Sequence, residues 1–592
     1  FRETKRGVAM VERVDSRQPE VNRRNLLKTL GLSAAAAGAG VASTPGAAEA
    51  AALVGPAMRR ERLPARPTPA LPARPPLPVI VLNRMGFGPR PGDRRDFADL
   101  GSTPQERLEA YVTQQLDPAS IDDSELEAKI ASANYDSVDL SSNPDTYLQT
   151  LWAWYINDDG APGGRDSSWI PREELVRATF MRAMYSKRQL LEVLTSFWHD
   201  HFNVYADRSS WVQTTMPHLD LQLRTHALGN FRTMLEKVAR SPAMLHYLDN
   251  YTSSNGGPNE NYSRELFELH TMGAENYFGV MPQSQVPTDS TGRPLGYVDA
   301  DVFETTRCFT GWSFSFGSEG DGDTGLFYYR SSWHDRFQKY VLGNFLSADQ
   351  TDLKDGRDVL DFLASHPGTG RYIARKLCRK FIADDPPQSV VDAAAAVFTD
   401  QWQAADQLEQ VMRTILLSEE FKTTWGEKIK RPFEIAVSAF RAANSQFILR
   451  MDHSDTSSFL WRYSGTGHWP FGWPAPDGYP DVRTAWKSMT PRVMSWRMCA
   501  WLVDFYNDND QPYLNIVGLT PDSARSANEL ADFWIDRILN RPMESAERQE
   551  IVDFMAQGFN PDFDLDFSDE DTQDRLRSMV GLILMSPDFL WR

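Results

Sequence analysis

The chain has 592 residues, 41% hydrophobic and 24% charged, with a formal net charge of -18 at pH 7. That length holds one large domain or several ordinary ones, and so acidic a body repels nucleic acid and anionic lipid, which argues against nucleic-acid binding. Its three cysteines, Cys308, Cys378 and Cys499, lie far apart without CxxC spacing, so neither a disulfide framework nor a thiolate zinc site is indicated.

In chain order, the first element is a targeting segment over residues 1–50. Asn22-Arg23-Arg24-Asn25-Leu26-Leu27-Lys28 precedes the weakly apolar TLGLSAAAAGAGVAS, and Ala48-Glu49-Ala50 follows as a small-x-small cleavage pattern. The arrangement resembles a twin-arginine export signal, which implies the twin-arginine export machinery as a partner and a soluble protein in the periplasm or outside the cell. The apolar run falls short of the ~20 strongly apolar residues of a membrane span, and no other window reaches that length, so no integral membrane segment is expected. Twin-arginine export passes folded proteins, often with a cofactor in place, and so raises the expectation of a metal. Residues 51–78, with RRERLPARPTPALPARPPLP, read as an extended linker that buries no core.

Helical signals dominate from residue 79 to 592. Thr103-Pro104-Gln105-Glu106 is a capping-box start for RLEAYVTQQL, and SKRQLLEVLTSFWHDHF carries apolar positions at helical spacing. In RYIARKLCRKFIA, Ile373, Leu377 and Phe381 share one face while Arg371, Arg375 and Arg379 share the other. Strand-like runs are short: PVIVLN at 78–83 and GLFYYR at 325–330. The expected fold is therefore mainly α, a large multi-helix domain with one or two short β-hairpins and long ordered loops. The motif I-L-[LM]-S-x-[ED]-F recurs at 415–421 and 583–589, consistent either with two helical halves dividing near 425–450 or with chance. Between the copies, GHWPFGWPAPDGYPDVRTAW (467–486) reads as a long ordered loop of the kind that covers or lines a site.

The chemistry concentrates between Phe197 and Asp335, where FWHDHFNV, PNENYSRELFELH, ETTRCFTGW and FYYRSSWHD follow one another. These phrases, with LEKVARSPAMLHYLDN, HDRFQKYVLG, LASHPGTGRYIARKLCRKFI, KRPFE and PDGYPDVRTAW, resemble the bacterial family called domain of unknown function 1800, from about Val81 to the C-terminus. The resemblance implies an exported, largely helical bacterial protein and carries no agreed activity, so function must be argued from the site.

A helix is expected after Pro258 with Asn259 as cap. At about 100° per residue, Tyr262, Leu266, Leu269 and Gly273 form an apolar stripe, Glu265 and Glu268 share a flank, and His270 projects away on the other. His199 and His201 sit about 200° apart on a helix, so both reach one ion only if the helix ends near Asp200. If it does, His199, His201, Glu265 and Glu268 are candidate ligands for a divalent transition metal, an imidazole and carboxylate set that suits zinc, iron or manganese. His334, a candidate acid or base, completes a candidate catalytic set with Glu304 and Arg264. Three functions stay open: a metal-dependent hydrolase or oxidoreductase; a cell-envelope binding or scaffold protein whose carboxylates pair with Arg264 and Arg307; and a carbohydrate-binding or carbohydrate-cleaving protein with Trp312, Trp333, Trp469 and Trp473 as platforms. The acidic GSEGDGDTG (317–325) reads as a solvated hairpin loop in preference to a calcium site.

Overall fold

A computed structural model describes residues 72–592 apart from 140, 319 and 506–511. The expected leader and residues 51–71 of the expected linker lie outside the described residues. The last residues of that linker belong to the fold, because Leu77–Arg84 is a helix (α1) with Val79, Ile80, Val81 and Leu82 buried. This corrects the strand expected at 78–83. A short, continuously apolar run has no period to separate a buried strand from a buried helix, and Pro78 pre-sets the first helical turn.

The capping box at Thr103 opens α2 (Pro104–Leu116): Thr103 Oγ1 accepts from Glu106 N at 3.2 Å and Glu106 Oε2 accepts from Thr103 N at 3.1 Å. Helices α3 (Ile170–Tyr185) and α4 (Gln189–His201) both pack on α5 (Ser210–His226). After α6 (Asn261–Glu265) the chain widens into a π turn, Leu266–His270, and α7 (Asp299–Cys308) leads into two small antiparallel hairpins. The first pairs β1 (Trp312–Phe316) with β2 (Asp323–Tyr329), which is the strand expected at GLFYYR; the second pairs β3 (Lys339–Val341) with β4 (Asn344–Leu346). Within the loop of the first hairpin, Asp321 pairs with Arg330.

Helices α8 (Lys354–Ala364), α9 (Pro367–Phe381) and α10 (Pro432–Ala442) follow. His366 caps α9, its Nδ1 accepting from Gly368 N at 2.9 Å. On α9 the face read from the sequence holds: Ile373, Leu377 and Phe381 are fully buried, and Arg371 is exposed. The repeated motif marks the same local device twice, since Ser418 Oγ accepts from Phe421 N at 3.1 Å and Ser586 Oγ from Phe589 N at 3.3 Å. The fold is mainly α, and one apolar core takes side chains from Val81 to Leu590.

Candidate functional site

The HDH triplet ends α4, whose helical backbone runs through His201 with Phe202 as the cap. The helix does not stop at Asp200, so the half-turn between the two histidines persists and they face different cavities. His199 donates from Nε2 to Asp220 Oδ1 at 2.9 Å, and its ring packs on Phe471. His201 donates from Nε2 to the His270 carbonyl at 3.1 Å and accepts from Lys376 Nζ on Nδ1 at 2.9 Å. Between them, Asp200 Oδ2 accepts from Arg431 at 2.6 Å.

The loop 467–486 lies over this helix end. Asn203 Nδ2 donates to the carbonyls of Trp473 (2.9 Å) and Ala475 (2.6 Å), and the Tyr247 hydroxyl donates to Pro474 at 2.8 Å. Gly478 has φ of +73°, and a Cβ there would stand 1.9 Å from the Asp200 carbonyl oxygen, so only glycine lets the loop approach this closely. Tyr479 then separates two cavities. One, of about 50 Å³, has Phe87, Phe433 and Phe471 as apolar walls, with Ser196, His199 and Asp220 on its polar side. The other, of about 230 Å³, is bordered by His201, Tyr372, Lys376, Arg379, Asp477 and Asp481, among others.

Electrostatics distinguish the two faces. Burial alone would raise Asp220, but Arg224, the hydrogen bond from His199 and Arg182 outweigh it and hold the carboxyl far below the usual carboxylate range. Burial, then the charge of Lys376, keeps His201 well below the ordinary imidazole value, and it is neutral at pH 7. Burial also lowers Lys376 to about 8, with Asp200 pulling the other way. Beneath this second cavity, Glu434 is enclosed by Lys380 (3.0 Å), Arg431 (3.7 Å) and Arg592. Burial would raise it, yet the three cations drive it well below the usual value.

The four candidate metal ligands are not gathered at one point. His199 is held by Asp220, and His201 by His270 and Lys376. Glu265 is buried near Tyr247, where its charge adds to burial in raising the phenol. Glu268 is half-buried by Tyr297, which burial and then Glu268 push upward. Among the described residues, no group of three or more His, Cys, Asp or Glu side chains is placed to hold a metal ion. His270 is fully buried, with neither ring nitrogen hydrogen-bonded among the described residues. It joins the core face instead of projecting away, because the π turn advances each residue by less than the 100° assumed for an α-helix. Asn259 accepts from Asn261 N at 3.1 Å, while Glu260 occupies the cap position.

The three candidate catalytic residues lie in other networks. Arg264 pairs with Asp299 at 3.4 Å and Glu260 at 3.6 Å, and Glu304 with Arg307 at 2.8 Å. Arg264 and Arg307, the candidate partners of Glu265 and Glu268, thus meet other carboxylates, for Arg307 also Asp335 at 2.8 Å. His334 has both nitrogens engaged, Nε2 with Asp355 Oδ2 at 3.1 Å and Nδ1 with the Thr310 carbonyl at 3.0 Å, and Lys339 reaches the same Asp355 oxygen at 2.6 Å. Of the four tryptophans, Trp312 is 1% exposed in the core, Trp333 is half-buried under Arg330, and Trp469 and Trp473 pack on Tyr463 and Tyr479.

Sequence reasoning did not single out Asp220, Lys376, Arg431 or Tyr479. Three of them lie inside phrases already quoted for the family resemblance: RYIARKLCRKFI, KRPFE and PDGYPDVRTAW. Their place in those phrases was the available signal, and their meeting at the HDH triplet is seen only in the structure. Asp220, within TTMPHLDLQLR, carried none. A family model described as protein of unknown function (DUF1800) matches residues 80–591. No curated protein and no solved structure matches the chain.

Proposed function

The chain belongs to the DUF1800 family, which brings no reaction with it, and we propose that it is an enzyme in which His199, oriented by Asp220, accepts a proton in the apolar-walled cavity. The observation that carries this reading is the half-used imidazole. The ionised Asp220 accepts from Nε2–H, which leaves Nδ1 as the basic nitrogen, and Nδ1 has no hydrogen-bond partner among the described residues. An imidazole fixed in one tautomer with its other nitrogen toward a cavity has the arrangement of a general base. Arg182 and Arg224, at 3.2 Å and 3.5 Å from Asp220 Oδ2, hold the carboxylate in place. Phe87, Phe433 and Phe471 restrict water, which strengthens the Asp220–His199 interaction. Hydrolysis is the reaction class this supports best: His199 takes the proton of an attacking water, or of the Ser196 hydroxyl that lines the same cavity one turn earlier on α4.

The test is turnover of chromogenic esters, phosphate monoesters and glycosides by the purified protein. One class is hydrolysed, and His199→Gln lowers kcat by about 10²–10⁴-fold without a matching loss of thermal stability. Ser196→Ala separates covalent from direct water attack. Absence of turnover on all three classes, or turnover indifferent to His199→Gln, removes the proposal. Export belongs to the same reading and rests on Arg23-Arg24 and the apolar run after them. Replacing both arginines by lysine is expected to leave the precursor inside the cell on fractionation; unchanged export would sink this part.

A further inference from the structure

The second cavity carries an inference that does not depend on His199. Four cations and three carboxylates border it: Lys376, Arg379, Lys380 and Arg431 against Asp200, Asp477 and Asp481. Most are committed to protein partners. Lys380 sits 3.0 Å from Glu434, Arg431 2.6 Å from Asp200, and Asp481 3.2 Å from Lys428, while Asp477 accepts from Trp473 Nε1 at 2.8 Å.

Two cations are left over. Among the described residues neither Lys376 nor Arg379 has a carboxylate within ion-pair distance. Lys376 Nζ meets the uncharged His201 imidazole at 2.9 Å, and Arg379 Nε donates to the Asp384 carbonyl at 2.9 Å. The two stand at i and i+3 on α9, on the same side of the helix. Tyr372, one turn before Lys376, lines the same space, with the ammonium 5.4 Å from its ring centre and no hydrogen bond to its hydroxyl among the described residues.

We propose that this cavity binds a small oxyanion, a carboxylate or phosphate group borne by a small molecule, received by Lys376 and Arg379 with the Tyr372 hydroxyl as a further donor. Half-buried cations with no carboxylate in ion-pair contact are costly to fold around, Asp200, Asp477 and Asp481 offsetting part of that cost for Lys376 from farther off, and an anion in direct contact lowers it further. The guanidinium still has N–H groups beyond its Nε, and their planar fork matches an oxyanion edge. A cavity of about 230 Å³ admits such a group with a short carbon frame. Burial has already lowered Lys376 to about 8, which leaves it mostly protonated at pH 7 and sensitive to an arriving negative charge. Asp477 and Asp481 in the cavity lining limit the charge of the ligand, so a polyanion is disfavoured.

The experiment is calorimetric titration of the full chain with inorganic phosphate and, separately, with acetate, at pH 7 and an ionic strength matched with sodium chloride. Saturable binding of either is expected; phosphate alone points to a phosphate-bearing ligand and acetate alone to a carboxylate. Lys376→Met and Arg379→Met each weaken it at least tenfold. Arg375→Met, whose guanidinium pairs with Glu275 at 3.7 Å and does not border the cavity, leaves it unchanged. Arg379 is half-buried, so its variant keeps the test valid if Lys376→Met does not fold. No saturable binding up to millimolar concentrations, or binding indifferent to Arg379→Met, overturns the proposal.

Discussion

His199 meets Asp220 at 2.9 Å and His334 meets Asp355 at 3.1 Å, yet the first pair, in the lining of a cavity, leaves its second ring nitrogen without a hydrogen-bond partner among the described residues, while the second ties it to the Thr310 carbonyl. The surroundings differ in the same sense. Asp355 also receives Lys339 at 2.6 Å, and Lys339 Nζ donates to the Phe337 carbonyl at 2.9 Å, so His334 closes a clasp holding the second hairpin against α8. Asp220 is held by two arginines that each keep another carboxylate, Asp139 for Arg182 and Glu192 for Arg224. A histidine–carboxylate contact therefore says little about role. What the other nitrogen and the other carboxylate oxygen do decides between architecture and chemistry.

The largest expected effect falls on the clasp. Asp355→Ala takes from the Lys339 ammonium, whose side chain is 1% exposed, its nearest carboxylate, leaving Asp335 at 3.9 Å, and also removes the His334 Nε2 partner, and should cost about 3–5 kcal/mol in chemical denaturation. Asp220→Ala should cost less, roughly 1–3 kcal/mol, because Arg182 and Arg224 keep their second partners. Equal losses would erase the distinction between the two regions.

Acid should separate them next. His270, lowered to about 3 chiefly by burial, is neutral in the folded state, as are His201 and His468, which lie well below the ordinary value. The unfolded chain takes up these protons near pH 6.5. Stability is therefore full above that pH and falls as the pH drops toward the folded-state values, by about 2 kcal/mol for His270 at pH 5. Around the clasp the sign comes from carboxylates. Burial would raise Asp355 and Asp335, but hydrogen bonds, from His334 and Lys339 to the first and from Arg307 to the second, hold both below their usual value. Their contribution is present above about pH 4 and is lost only below it. Hydrogen exchange at pH 5 should thus show loosening at the end of α4 before the second hairpin, and the reverse order would contradict this assignment.

The smallest stability effects belong to the histidines themselves. His334→Gln should cost about 1–3 kcal/mol by thermal unfolding and His199→Gln about 1 kcal/mol or less, since the former takes a partner from the Thr310 carbonyl and a second one from Asp355 Oδ2, which keeps Lys339, while the latter breaks a single contact. A larger loss for His199→Gln would move that residue to the architectural side.

The sequence showed the helix faces well where local spacing determines them, as with Ile373, Leu377 and Phe381, and the Thr103–Glu106 cap was readable from four residues. The half-turn between His199 and His201 was also readable, and it is the reason they part. Long-range partners were not. Lys376 reaches His201 across 175 residues and Arg431 reaches Asp200 across 231, and nothing in their neighbours' types specifies that meeting. The run PVIVLN misled because uniform burial removes the alternation that separates strand from helix.

The π turn at Leu266–His270 has a consequence for how this segment tolerates changes in length. A π turn fits one more residue than an α turn between the same two ends, and here Thr271 Oγ1 closes it on the Leu266 carbonyl at 2.6 Å, with Gly273 N on Phe267 O at 3.0 Å. Removing a single residue from the turn would let the backbone relax into continuous α-helix. The chain beyond would then rotate by about 100°, and the His270 carbonyl would no longer meet His201. Loops on the surface accept insertions and deletions freely, but this stretch has a fixed residue count, because its length sets the direction of a carbonyl in the site.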